Sequence, residues 1–317
     1  KIQYDLPDEQ TGKIKKIREE KLVNGYSVTD VEAKVTKKYE GFTHDWRITS
    51  VSESKIDEIN QFYQAETPNN AKQIFTTFFT DDYQYKTKVN QYLTKTVGNI
   101  VKPIFDENFI PFFGNFMVKP PFNENLLLHA DWSYVDELND RAINVWAPLV
   151  STSPKNGRIW VIPKSHKIVN SIRGVNLPRD FYKNEVLLQT KYAKPLNIKK
   201  GQVLVYNARL LHFSYPNTTS IPRVALSVFF VPKNRSKYFY FLNSKTTKVE
   251  EYKLVNTEPL LKMKFGEKPP NLELNKEIPL NEIMPISKTD IHKYLKPVSY
   301  FNFLLNSYLY RKYTSNF

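Results

Sequence analysis

Cysteine is missing from all 317 residues. That absence removes disulfides, thiolate zinc sites, iron–sulfur clusters and a cysteine nucleophile, so any metal must rest on histidine and carboxylate. Glycine is sparse, with 9 residues, and there is no Gly-rich phosphate loop, Walker sequence, GxSxG elbow or internal repeat. Nucleotide hydrolysis and α/β-hydrolase chemistry are therefore without support. No apolar run approaches the length of a membrane span, and no apolar h-region follows Lys1. The expectation is a cytoplasmic protein with no membrane partner.

Aromatic side chains are abundant: 21 Phe and 20 Tyr lie in a chain that is 41% hydrophobic, which suits a sandwich or barrel filled by bulky rings. Basic residues outnumber acidic ones by 46 to 32, for a net charge of +14. Such a bias could serve a polyanion such as nucleic acid, but the basic residues are scattered and dense only from Lys13 to Lys21 and from Lys233 to Lys253. The charge reads as a solvated basic surface, with a small molecule and not nucleic acid as partner. The oligomeric state is left open.

Apolar residues at helical spacing, Ile56, Ile59 and Phe62 and then Phe75, Phe78, Phe79 and Tyr83, predict a mainly helical part over residues 1–111. From Phe112 the texture changes to short apolar runs broken by Pro, Asn and Gly. Strands are predicted at 115–118, 126–129, 143–150, 158–162, 186–192, 203–207 and 224–231. Short strands at such regular spacing predict a mainly β fold with flanking helices, its core a double-stranded β-helix (a cupin-like jelly roll) over 112–233. The remainder, 234–317, reads as an extension packed on that core within one domain, ending in an aromatic amphipathic segment from His292 to Tyr313.

Of five histidines, two stand in a pattern that carries chemistry. His129 and Asp131 form H-x-D at the end of NLLLHAD, and residues two apart in an extended strand share a face. His212 ends GQVLVYNARLLH, and Arg223 opens RVALSVFFV after a turn-rich connection. Were those two strands a hairpin, Arg223 would return beside His212. Two imidazoles and one carboxylate are the ligands of a facial triad that leaves sites open for a bidentate cosubstrate and O2. A planar guanidinium nearby is suited to a carboxylate.

The stretch from about Asn115 to Pro232, carrying LLLHADWSYVDE, NVWAPLV, SPKNGRIWVIPKSHK, GQVLVYNARLLHFSYPN and PRVALSVFFVP, resembles the phytanoyl-CoA dioxygenase family. The resemblance implies an Fe(II)- and 2-oxoglutarate-dependent oxygenase, with iron on His129, Asp131 and His212 and O2 as oxidant. It also implies that Arg223, eleven residues after His212, binds the cosubstrate together with Ser214, with Trp146 and Leu126 close by. His166, in the Pro-x-Ser-His element, is then structural or associated with a lid. Asp131 is the carboxylate that halogenating relatives lack, which points to hydroxylation, desaturation or ring closure. The substrate would be a small metabolite, and the positive charge fits an anionic one, as in natural-product biosynthesis. Trp132, Tyr134, Lys119 and Arg158 are the candidate substrate contacts. Two other readings compete: a nucleic-acid demethylase built on the same ligand set, and a cupin-like binding module without catalysis.

Overall fold

In a computed structural model, the described residues are 2–314 apart from 9, 10, 12, 20–22, 24–27, 50–54, 74, 106, 124, 180, 265, 284 and 285. Part of the basic run Lys13 to Lys21 lies outside them. The chain forms two compact units, 1–61 and 62–317, and the division falls inside the stretch read as one mainly helical part.

The first unit pairs β1 (Ile2–Pro7) with both β2 (Ile14–Glu19) and β3 (Trp46–Ile48) in an antiparallel sheet, beside α1 (Val28–Lys38). This stretch is therefore not purely helical. Helix α2 (Lys55–Glu66) runs through the division.

In the second unit, α3 (Tyr83–Val101) starts where the Asp82 side chain accepts the Tyr85 N–H at 2.9 Å. It buries Tyr85, Val89, Leu93, Val97 and Val101, a stripe at four-residue spacing. Two four-stranded antiparallel sheets follow. One runs β4 (Phe109–Lys119), β11 (Arg223–Pro232), β6 (Ile143–Pro148), β9 (Leu204–Asn207). The other runs β5 (Leu126–His129), β10 (His212–Ser214), β7 (Ile159–Val161), β8 (Lys194–Pro195). Trp146, Tyr206 and Ala225 from the first sheet pack with Ile159 and Val161 from the second, which closes the double-stranded β-helix. Central strand β11 is buried almost throughout, which explains its unbroken apolar run.

Two expectations are corrected. Residues 186–192 are helical, in a turn α4 (Glu185–Leu187) continued by a π-type turn at Leu188–Tyr192. A short apolar run does not by itself distinguish strand from buried helix. The strands after His212 and from Arg223 are also not a hairpin, because β10 pairs with β5 and β7 while β11 pairs with β4 and β6. The two residues line one cavity between the sheets.

Beyond Pro232 lies a third sheet of this unit, β12 (Lys237–Asn243), β13 (Lys248–Leu254) and β14 (Leu274–Pro279). Phe239, Tyr252 and Leu254 from this sheet, with Leu260 and Leu261 of α5 (Glu258–Lys262), share a core with Phe113, Tyr134 and Phe229 of the barrel region. Helices α6 (Lys288–Tyr294) and α7 (Tyr300–Thr314) place Ile291 and Leu309 on a second core containing Trp160 and Phe213. Among the described residues, no helix is long and apolar enough to cross a membrane.

Candidate metal centre

A cavity of about 370 Å³ lies between the two barrel sheets, and His129, Asp131 and His212 are in its wall. His129 and His212 are direct cross-strand partners on β5 and β10, with ring centroids 4.2 Å apart. Asp131 lies just past the end of β5, where its N–H donates to the Ala208 carbonyl at 3.0 Å. Arg173 Nε donates to the Asp131 carbonyl at 2.6 Å. The loop that carries the carboxylate is thus fixed by its backbone, not by strand alternation.

One ligand atom from each of the three side chains lies within 4.8 Å of the others. Both imidazoles are oriented alike: Nδ1 of His129 is 2.8 Å from the Leu127 carbonyl and Nδ1 of His212 is 2.9 Å from the Leu210 carbonyl. A carbonyl only accepts, so each Nδ1 is the protonated nitrogen and each Nε2 is left as a lone-pair donor. Burial, helped by the neighbouring His212, pushes the His129 imidazole down to about 4, which keeps it neutral as a metal ligand must be. His212 Nε2 lies 3.7 Å from Asp131 Oδ1.

The other carboxylate oxygen is held from a second direction. Asn144 on β6 donates from Nδ2 to Asp131 Oδ2 at 3.0 Å and to the Tyr206 hydroxyl at 3.0 Å. Ser227 on β11 donates to Asn144 Oδ1 at 3.0 Å. The chain Ser227, Asn144, Asp131 leaves Oδ1 facing His212. The sequence reading missed both supports. The available signal was a lone polar residue inside each of two apolar runs, NVWAP and ALSVFF.

At one end of the cavity wall Arg223 is 4% exposed, and behind that wall Lys119 is 0% exposed. They face each other in the β4–β11 register. Lys119 Nζ donates to Ser214 Oγ at 2.7 Å and to the carbonyls of Ser214 at 3.2 Å and Tyr215 at 2.5 Å. Gly157 makes room for this seat: its φ is +73°, and a Cβ there would lie 2.6 Å from Lys119 Cδ and 2.8 Å from the Tyr215 oxygen. The Arg223 guanidinium lies 5.5 Å over the Trp146 ring, and its Nε has no hydrogen-bond partner. Burial pushes Arg223 down to about 10, and burial beside Arg223 holds Lys119 well below the usual lysine range. Among the described residues, neither cation has a carboxylate at ion-pair distance. Two buried like charges in this state call for an anion.

The cavity therefore brings together Arg223, Ser214, Trp146 and Leu126, as expected, with Lys119 joining this end behind Ser214. Trp132 and Tyr134 line the opposite end with Phe75, Phe78, Phe79, Phe113 and Phe229. Arg158 is not in the cavity wall. Its guanidinium lies 5.2 Å over the Trp160 ring and donates to Asn197 Oδ1 at 2.9 Å. Two cavity-wall arginines were not anticipated: Arg173, paired with Glu137 at 2.6 Å, and Arg179, paired with Glu185 at 3.2 Å.

Residues present fit a divalent metal and an anionic cosubstrate: two imidazoles, one carboxylate, and two buried cations without a carboxylate at ion-pair distance among the described residues. Comparison with known proteins agrees. The model of the phytanoyl-CoA dioxygenase (PhyH) family matches residues 29–225. Phytanoyl-CoA dioxygenase 1 of Oryza sativa subsp. japonica is 26% identical over 112 residues, which cover 35% of this chain and 40% of that protein. A probable alpha-ketoglutarate-dependent hypophosphite dioxygenase of Stutzerimonas stutzeri is 23% identical over 174 residues, 52% of this chain and 60% of that protein. The chain thus spans two fifths to three fifths of these relatives' length. The crystal structure of EvdO2 from Micromonospora carbonacea var. aurantiaca, complexed with 2-oxoglutarate, is 16% identical, covers 68% of this chain and 89% of that one, and has a TM-score of 0.41. With more than half of its length matched by the family model, the chain belongs to the phytanoyl-CoA dioxygenase family.

Proposed function

We propose that this protein is an Fe(II)- and 2-oxoglutarate-dependent dioxygenase acting on a small-molecule substrate. The observation that carries the reading is the buried Arg223 in the wall of the cavity that holds the His129, Asp131 and His212 cluster, with Lys119 buried behind Ser214 of the same wall. A two-headed dianion meets both needs, one carboxylate at the cations and the other head at the metal.

His129, Asp131 and His212 would hold Fe(II), and Arg223 and Ser214, backed by Lys119, would hold the distal carboxylate of 2-oxoglutarate. When bound, Fe(II) supplies O2 activation coupled to oxidative decarboxylation of 2-oxoglutarate to succinate and CO2. Asn144 and Ser227 keep the Asp131 carboxylate oriented, and the Trp146 face backs the Arg223 fork. Leu126 and Ile159 keep this end apolar, so the charge-assisted contacts act with little water between them.

The substrate would lie on the rings of Phe78, Phe79, Phe113, Trp132 and Phe229. Arg173 and Arg179, in the same cavity wall, are already paired with acids, so the portion of the substrate presented for oxidation is read as uncharged. This moves the expected positive contact away from the reacting group: Lys119 serves the cosubstrate and Arg158 lies outside the cavity. With Asp131 in place, the outcome is hydroxylation, desaturation or ring closure. The test is succinate release from 2-oxoglutarate by Fe(II)-loaded protein, screened against candidate apolar and aromatic metabolites. Release that rises with one substrate and disappears in His212→Ala supports the reading. Equal release by wild type and His212→Ala contradicts it.

A further inference from the structure

The dense basic stretch that begins at Lys233 serves no role in the iron cavity. Its first three residues, Lys233, Asn234 and Arg235, line a second cleft, of about 890 Å³, at the end of the barrel sheet where Phe109, Ile143, Asn207 and Pro232 are neighbours in register. Arg141 and Arg209 complete the basic lining. Two acids also face this cleft, but both are engaged: Asp140 with Arg235 at 3.1 Å and Glu137 with Arg173 at 2.6 Å. Among the described residues, Arg141, Arg209 and Lys233 have no acid at ion-pair distance, although Arg209 lies in the field of the Glu137 carboxylate.

The two arginines are prepared differently. Arg209 is partly buried, and its Nε has no hydrogen-bond partner. Arg141 is laid over the Phe109 ring at 5.7 Å, which holds its planar fork against the cleft wall. Arg141, Arg209 and Lys233 converge on one concavity and repel each other, with only Arg209 partly offset by Glu137, and a multivalent anion removes that repulsion. Guanidinium forks match the paired oxygens of a phosphoryl group, and each contact is charge-assisted.

We propose that this cleft is a binding site for a phosphoryl-bearing ligand, seated on Arg209 and Arg141 with Lys233 at its rim. The volume exceeds what an inorganic phosphate fills, so the natural ligand is a phosphate ester with an organic body. The site needs no metal and stands whether or not the iron reading does. It adjoins the iron cavity, since Tyr206 lines both and Glu137 is the ion-pair partner of Arg173 in the iron cavity wall.

The experiment is a titration of the full chain with inorganic phosphate, followed by phosphorus NMR linewidth in a chloride buffer of constant ionic strength. Saturable binding is expected in the wild type. Arg209→Gln and Arg141→Gln should each weaken it by about tenfold, as loss of one charge-assisted contact predicts. Arg235→Gln should change it by less than about threefold, because Arg235 is exposed and already paired. Arg223→Gln, in the other cavity, should leave it unchanged, which separates this site from the buried cations of the iron cavity. Arg141 is exposed, so its variant tests the site even if Arg209→Gln misfolds. Non-saturable binding in the wild type, binding indifferent to Arg141→Gln, or an equal loss in Arg223→Gln would overturn the proposal.

Discussion

At one end of the iron cavity Arg223, and Lys119 behind Ser214, are buried with no acid at ion-pair distance among the described residues. Elsewhere in its wall, Arg173 and Arg179 each have a glutamate at ion-pair distance, and aromatic rings line the other end. The contrast separates two kinds of positive charge. A neutralised arginine is part of the scaffold, whereas a desolvated one without a counter-charge raises the free energy of the empty protein and lowers it again when an anion arrives. The first end is read as built for a charged cosubstrate and the second for an apolar segment.

The largest expected effect breaks the site at its centre. His129→Ala, Asp131→Ala or His212→Ala should reduce Fe(II)-dependent succinate release to background. Calorimetry should place the melting temperature of each within a few degrees of the wild type, because none belongs to the apolar core clusters. Arg223→Ala should come next. Removing one partner of a buried charge contact costs a few kcal/mol, so the Kd for 2-oxoglutarate should rise by about a hundredfold by titration calorimetry, while metal binding persists. Lys119→Met should weaken the same affinity by about tenfold, since its contact passes through Ser214.

The pH dependence follows from the same pair. Both cations have pKa values lowered by burial, and the anion binds their charged forms. Affinity for 2-oxoglutarate should therefore fall as pH rises through the alkaline range, and Lys119→Met should flatten the first part of that fall. Asn144→Ala should cost about tenfold in metal affinity, and Ser227→Ala less, because these residues act only by orienting Asp131. Phe79→Ala, at the aromatic end, should leave both metal and 2-oxoglutarate affinity unchanged; a loss there would erase the distinction between the two ends.

Much of this was legible in one sequence. Apolar runs with Pro and Asn punctuation exposed the barrel strands, and H-x-D with a distant His marked the cluster. What escaped depended on pairing between distant strands. Lys119, at the end of β4, reads from the sequence as a substrate contact until β4 is laid against β11, which sets it opposite Arg223 and under Ser214. The assumed hairpin between His212 and Arg223 brought the right residues together by the wrong route, since only the closing of two sheets does so. Residues 186–192 looked like a strand because seven residues carry too little periodicity to separate it from a buried turn of helix. Strands β12 and β13 were hidden by lysines and glutamates along them, although Phe239, Tyr252 and Leu254 supply a buried face.

The most direct measurement is the anaerobic visible spectrum of the protein with Fe(II) as 2-oxoglutarate is added. The account predicts a weak charge-transfer band that saturates with 2-oxoglutarate, needs far more of it in Arg223→Ala, and is absent in Asp131→Ala. A wild-type protein that stays colourless at saturating Fe(II) and 2-oxoglutarate would contradict it.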